Sequence, residues 1–207
     1  MTGVRSVTGI ILAAGEGSRM GRTKQQLPFR GKTILECVID SALASKLDRV
    51  IVVLGHQADQ LRPLLERAGV EAVVNARYRE GQSTSLKAGL QALSEETDAA
   101  LFLLGDQPLV TSALIDQILA AYRETGSPIV MPVHNGKRGN PVLFSRETVA
   151  GIQALTADCG ARPLFQEYAE RLQAVPVDDP TIHFDVDTED DYRRLLREHG
   201  RQSANPL

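Results

Sequence analysis

Residues 12–24 carry three glycines (Gly15, Gly17, Gly21) and two well-spaced cations, Arg19 and Lys24, directly after the apolar run Val7-Thr8-Gly9-Ile10-Ile11. Glycines let a backbone turn tightly and bring its N–H groups close to an anion, while the cations add charge. A buried strand that ends in such a loop has the chemistry of a triphosphate cradle. Two other phosphate motifs do not fit. A dinucleotide G-x-G-x-x-G turn needs small residues where this chain has Arg19 and Met20. Gly31-Lys32-Thr33 imitates the end of a P-loop, but the position five before Gly31 is Gln26.

Three further segments hold candidate chemistry. Leu103-Leu104-Gly105-Asp106-Gln107-Pro108 ends a fully apolar strand with a carboxylate, and Pro108 stops the strand. Asp106 there either holds Mg²⁺, which prefers hard oxygen ligands, or caps a helix starting near Thr111. In the stretch Ile182 to Tyr192, Thr188 and Asp191 form a capping box. That box leaves Asp185 and Asp187 unexplained, and a short alternating strand would place both on one face. Ser83, Thr84 and Ser85 open a helix; their hydroxyls either cap it or bond the polar edge of a pyrimidine. His56 and His134 sit singly in loops, without a partner that suggests acid–base work.

The loop from Leu12 to Lys24, continued through Gln26-Leu27-Pro28-Phe29-Arg30-Gly31-Lys32-Thr33-Ile34-Leu35, resembles the nucleotidyltransferase family that contains the molybdenum cofactor cytidylyl- and guanylyltransferases. Gly105-Asp106-Gln107-Pro108, Gly81 to Leu86, Arg138-Gly139-Asn140-Pro141-Val142-Leu143-Phe144, Asp158-Cys159-Gly160-Ala161-Arg162 and Asp185 to Tyr192 resemble further motifs of that family, in its order, so the likeness covers residues 8–195. Two positions depart from the pattern: Ala157 stands for a glycine, and Glu189 for a proline.

The resemblance implies a transfer from CTP to the terminal phosphate of molybdopterin, giving the cytosine dinucleotide and pyrophosphate. Arg19, Lys24 and Asp106 would be catalytic, with Mg²⁺ (or Mn²⁺) on Asp106 and Asp187. Nucleotide or substrate contacts would come from Leu12, Ala13, Ala14, Gly15, Gly17, Ser83, Ser85, Gly105, Asn140 and Arg162, the last toward a substrate phosphate. Family members that use GTP carry glycine where this chain has Ala14, whose methyl would narrow the base slot. A guanylyltransferase, a cytidylyltransferase for another small phosphate, and a carrier handing the dinucleotide to a molybdoenzyme are the alternatives.

Composition sets the bounds. The chain has 207 residues, 43% hydrophobic and 24% charged, which suits one α/β domain with a substantial core. A net charge of −3 with dispersed basic residues argues against a nucleic-acid partner. Apolar runs are strand-sized, so no membrane partner is expected, and no signal-peptide pattern opens the chain. Cys37 and Cys159 show no metal-ligand spacing; Cys37 reads as a buried small hydrophobe, and the expected location is a reducing cytoplasm.

The elements that must position these residues alternate. Strands are predicted at Thr8–Ala13, Val50–Leu54, Glu71–Val74, Ala99–Leu104, Ile129–Pro132 and Pro141–Phe144. Helices are predicted at Ile34–Ser45, Ala58–Ala68, Thr84–Leu93, Ser112–Thr125 and Thr188–Glu198. The pattern implies an α/β doubly wound, mostly parallel (mixed) sheet flanked by helices, which the resemblance makes a nucleotidyltransferase-type, Rossmann-like domain over residues 1–199, with a frayed tail at 200–207. Gly15, Gly55 and Gly105 follow strand ends, so the informative loops gather on one rim.

Overall fold

The computed structural model describes residues 5–15, 20, 23–156 and 160–200. The chain runs through β1 (Val7–Ala13), β2 (Pro28–Phe29), β3 (Lys32–Thr33), α1 (Ile34–Leu43), β4 (Arg49–Leu54), α2 (Ala58–Ala68), β5 (Glu71–Val74), α3 (Gln82–Gln91) and β6 (Ala99–Leu104). It continues through α4 (Ser112–Thr125), β7 (Ile129–His134), β8 (Lys137–Arg138), β9 (Val142–Ser145), α5 (Val149–Ala154), α6 (Arg162–Glu167), β10 (Leu172–Pro176) and α7 (Glu189–His199). The main sheet has the order β10-β7-β9-β6-β1-β4-β5, with β8 paired to β7, while β2 and β3 form a separate hairpin. β5, β4, β1 and β6 are mutually parallel, β10 is parallel to β7, and β9 runs antiparallel between β6 and β7. The mixed, mostly parallel sheet expected from the sequence is present.

Strand alternation builds the two layers. On one face Val7, Ile11 and Ala13 of β1 join Val52, Leu54, Leu101 and Leu103 under α1, α2 and α4. On the other, Ile10 joins Ile51, Val53 and Phe102 under α3, α5 and α6. Burying a Leu or Ile side chain contributes about 1.5–3 kcal/mol, so these two faces fix the register of the central strands. α3 lies close to β1: a Cβ at Gly89 would come within 2.6 Å of Ile10 Cγ2. Thr33 and Glu36 cap α1 reciprocally, and Thr111 caps α4 by accepting from Leu114 N at 3.2 Å.

The strands predicted between Thr8 and Phe144 and the five predicted helices are found, with ends shifted by at most two residues. Other expectations need correction. No strand forms between Ile182 and Asp187. A 3₁₀ turn covers Pro180–His183, and Val186 N bonds Asp106 O (3.1 Å) instead of a neighbouring strand. β10 was not foreseen, because its residues are half exposed and lack a clear apolar alternation. Cys37 is half-buried on α1, with Sγ 3.7 Å from Phe29 O, rather than fully buried. Cys159 and residues 201–207 of the expected tail lie outside the described residues. Among the described residues, no helix is long and apolar enough to cross a membrane.

Candidate active site

Parallel pairing of β6, β1 and β4 brings the ends of these strands to one rim, as the glycine positions suggest. Gly105 N donates to Leu12 O (2.9 Å), and a Cβ on Gly105 would lie 3.0 Å from that oxygen and 3.1 Å from Ala13 Cβ. A side chain at this position would crowd the place where the β6 end closes on β1. Asp106 follows at once, in the turn that Gln107 N closes on Leu104 O. Since Thr111 caps α4, the capping role for Asp106 is overturned.

Three distant segments meet at this carboxylate. Lys24, the first residue of a 3₁₀ turn (Lys24–Gln26), is buried, and its ammonium donates to Asp106 Oδ2 and to Asp187 Oδ1 (2.8 Å). A small apolar cluster holds the segments together. Leu27 and Phe29 follow Lys24, Leu109 follows Asp106, and Val186, Tyr192 and Leu195 surround Asp187 in sequence; all are buried against one another. Tyr192 Oη donates to Pro28 O (2.7 Å), tying α7 to the β2–β3 hairpin. Asp191 Oδ2 accepts from Thr188 N (2.8 Å) and Asp187 N (3.3 Å), so the α7 cap also fixes the chain at Asp187.

The electrostatics follow from this packing. Burial pulls the Lys24 pKa down, but the charges of Asp106 and Asp187 and the bonds to them outweigh it and hold the pKa above the ordinary lysine value. Asp185 turns to the buried Gln107, whose Nε2 donates to Asp185 Oδ1. Burial, then the nearby Asp106 and Asp187, push the Asp185 pKa up, against the bond from Gln107 and the charge of Lys24.

A cleft of about 630 Å³ opens above the cluster, lined in part by Leu12, Ala14, Gly15, Lys24, Ser85 and Asp106. A second pocket of about 260 Å³ shares Leu12, Gln82 and Leu104 with it and is lined by Asn140, Arg162 and the rings of Phe102, Phe144 and Phe165. Eight of the candidate residues line these two pockets. Ala13 is buried beneath the other face of the sheet, and Ser83 is buried and not part of the cleft lining. Gly105 lies beneath the rim, and Asp187 joins through Lys24. Gly17 and Arg19 fall outside the described residues. Among the described residues, a Cβ on Gly15 would meet no atom within 4 Å.

Neither hydroxyl reading of residues 83–85 as a cap holds, because α3 begins at Gln82 after Gly81 and has no side-chain cap. Instead Asn75 Nδ2 donates to Thr84 Oγ1 (2.9 Å) and Ser85 Oγ (3.0 Å). The sequence assigns no role to Asn75, to Gln107 within its motif, or to the cleft residues Gln25 and Tyr78. Gln107 adjoins Asp106 and could have been suspected; Asn75 and Tyr78 lie in a stretch with no periodicity to mark them.

The fold and this carboxylate–lysine rim define a nucleotidyltransferase. The MobA-like NTP transferase domain matches residues 9–174, and the chain belongs to that family. It is 31% identical to the molybdenum cofactor cytidylyltransferase of Escherichia coli over 189 residues, 88% of this chain and 92% of that one. It is 30% identical to the nicotine blue oxidoreductase of Paenarthrobacter nicotinovorans over 209 residues, 94% of this chain and 98% of that one. A Mycobacterium tuberculosis protein crystallised with manganese superposes with a TM-score of 0.81 at 30% identity, covering 93% of this chain and 99% of that one.

Proposed function

We propose that this chain transfers the cytidylyl group of CTP to the terminal phosphate of molybdopterin, with or without molybdenum, releasing pyrophosphate. The observation that carries the reading is the Lys24–Asp106–Asp187 cluster on the floor of a cleft walled by Ala14, Gly15 and Ser85. Likeness along the chain does not choose the reaction by itself, since a relative of nearly equal identity is named as an oxidoreductase. The cluster favours charge neutralisation at phosphate, and the cytidylyltransferase likeness supplies the substrates.

Asp106 and Asp187 would hold Mg²⁺ or Mn²⁺. Asp106 Oδ1 is buried without a hydrogen-bond partner among the described residues, an orphaned hard donor that suits such an ion. When bound, the ion would neutralise charge on the α-phosphate. A phosphate monoester has its second pKa near ~6, so the acceptor attacks as a dianion and needs no general base. One acceptor oxygen bonds the α-phosphorus in line as the bond to the pyrophosphate oxygen breaks, and pyrophosphate leaves with that electron pair. Lys24 and Arg19 neutralise the departing charge.

Ser85 Oγ accepts from Asn75, which leaves its O–H to donate toward the acceptor edge of cytosine. Ala14 narrows the slot. The second pocket would take the acceptor, its ring against Phe144 and Phe165 and its phosphate toward Arg162 and Asn140. Product handover to a molybdoenzyme would complete a cytoplasmic role.

The test is a matrix of the four NTPs against molybdopterin, a sugar phosphate and an isoprenoid-precursor phosphate, read by pyrophosphate release. Turnover confined to CTP with the pterin is expected. A preference for GTP would make the protein a guanylyltransferase, turnover on another acceptor would overturn the pterin assignment, and dinucleotide binding without turnover would favour a carrier.

A further inference from the structure

We infer that Lys24 and a divalent cation compete for one seat, the gap between Asp106 and Asp187, so that in the nucleotide-free protein the lysine closes the metal site. The inference rests on the nucleotidyltransferase reading for its metal but on geometry for the competition. The ammonium bonds both carboxylates at once, Asp187 at 2.8 Å, and its side chain is only 11% exposed. A Mg²⁺ or Mn²⁺ ion needs oxygens at roughly 2.0–2.2 Å. An ion drawn to these oxygens would stand against the ammonium with no anion between them. Two carboxylates and one ammonium leave one negative charge, whereas two carboxylates and a divalent ion leave none.

The lysine has somewhere to go. Its backbone is held in the 3₁₀ turn, where Leu27 N donates to Lys24 O (3.2 Å), but its side chain lines the roughly 630 Å³ cleft. A triphosphate entering that cleft offers the ammonium a stronger set of anions. As Lys24 moves to the phosphates, the seat opens for the ion, and ion and nucleotide then strengthen each other's binding reciprocally. Lys24 thereby acts twice, as the occupant that guards the empty seat and as the cation that meets the nucleotide.

The measurement is Mn²⁺ binding to nucleotide-free protein, followed by the electron paramagnetic resonance signal of unbound Mn²⁺, for wild type, Lys24→Met and Lys24→Gln. Removing a positive charge in contact with two carboxylates should tighten Mn²⁺ binding at least about tenfold in both variants, in line with the effect of one adjacent charge on an ionic equilibrium. With α,β-methylene-CTP present, the wild-type and variant affinities should converge. Equal or weaker Mn²⁺ binding by folded variants overturns the inference. A wild-type crystal soaked in Mn²⁺ gives a readout that needs no variant. Lys24 Nζ beyond hydrogen-bond distance of both carboxylates supports the competition; Mn²⁺ seated between them with both lysine bonds intact overturns it. If the variants bind Mn²⁺ more tightly but no nucleotide affects binding in any of the proteins, the competition stands and the nucleotidyl-transfer reading falls.

Discussion

Lys24 Nζ lies 2.8 Å from Asp187 Oδ1 although the two residues are 163 positions apart in the chain. The contact joins the glycine-rich segment after β1 to the segment that starts α7, and Asp106 at the end of β6 shares the same ammonium. Two carboxylates and one cation thus form a single charged unit. The apolar cluster of Leu27, Phe29, Leu109, Val186 and Tyr192 beneath it keeps the unit in register.

Asp106→Asn should reduce turnover at least about a hundredfold, the scale of losing one electrostatic stabiliser in an active site. Folding should survive, since Lys24 keeps its bond to Asp187 and the β6 end remains packed. Pyrophosphate release under saturating Mg²⁺, with a thermal melt of the same sample, checks both statements. Near wild-type rates would remove Asp106 from the reaction.

Lys24→Ala should weaken CTP binding in Mg²⁺, whereas Lys32→Ala should leave it unchanged. Lys32 pairs with Asp40 on the surface of α1, about half exposed and away from the cleft. Isothermal titration of both variants decides the matter. Equal losses would place the wrong lysine on the phosphates.

Base choice should depend on Ala14, which is buried at the cleft wall. Wild type should favour CTP over GTP in kcat/KM, because a site that hydrogen-bonds its substrate rejects one that leaves those groups unpaired. Ala14→Gly should improve GTP use by widening the slot without matching CTP, since the Ser85 and Asn75 pair remains. Competition between the two nucleotides on both proteins is the measurement, and a wild-type preference for GTP would reverse the cytidylyl assignment.

The α7 cap should impose a pH dependence on stability. Bonds from Thr188 hold the Asp191 carboxyl below its ordinary pKa, with burial opposing. A depressed folded pKa means that the stabilisation is complete above the unfolded value near ~4 and is lost as pH falls through the folded value. Asp191→Ala should thus cost about 1 kcal/mol at neutral pH, as for a lost cap, and the two proteins should converge in strong acid. Thermal melts from pH 7 downward test this; a constant gap would show that the ionised carboxylate is not what stabilises the cap.

Much of this was legible before any fold was known. The apolar runs of β1, β4 and β6 read as strands because side-chain alternation and burial are local properties. The capping box at Thr188 and Asp191 could be named for the same reason: its partners sit three residues apart. Asp106 was marked by its place after an apolar strand. Asp185 and Asp187 read as one face of a short strand, but that strand does not exist: the chain is held by Val186 N on Asp106 O, Asp185 turns to Gln107 and Asp187 to Lys24.

By itself, then, the sequence determined the alternating α/β order, the rim on which the glycine-rich loop and Asp106 must meet, and the residue types available for phosphate and metal. Tertiary structure alone decided that Lys24 binds both carboxylates, that Ser85 rather than Ser83 lines the cleft, that Gln107 takes Asp185, and that a half-exposed strand closes the sheet beside β7. The division has a physical cause. Periodicity, caps and turns are set by residues a few positions apart, whereas the partner of a buried charge is whichever opposite charge the packed core brings within about 3 Å, however far away it lies in the chain.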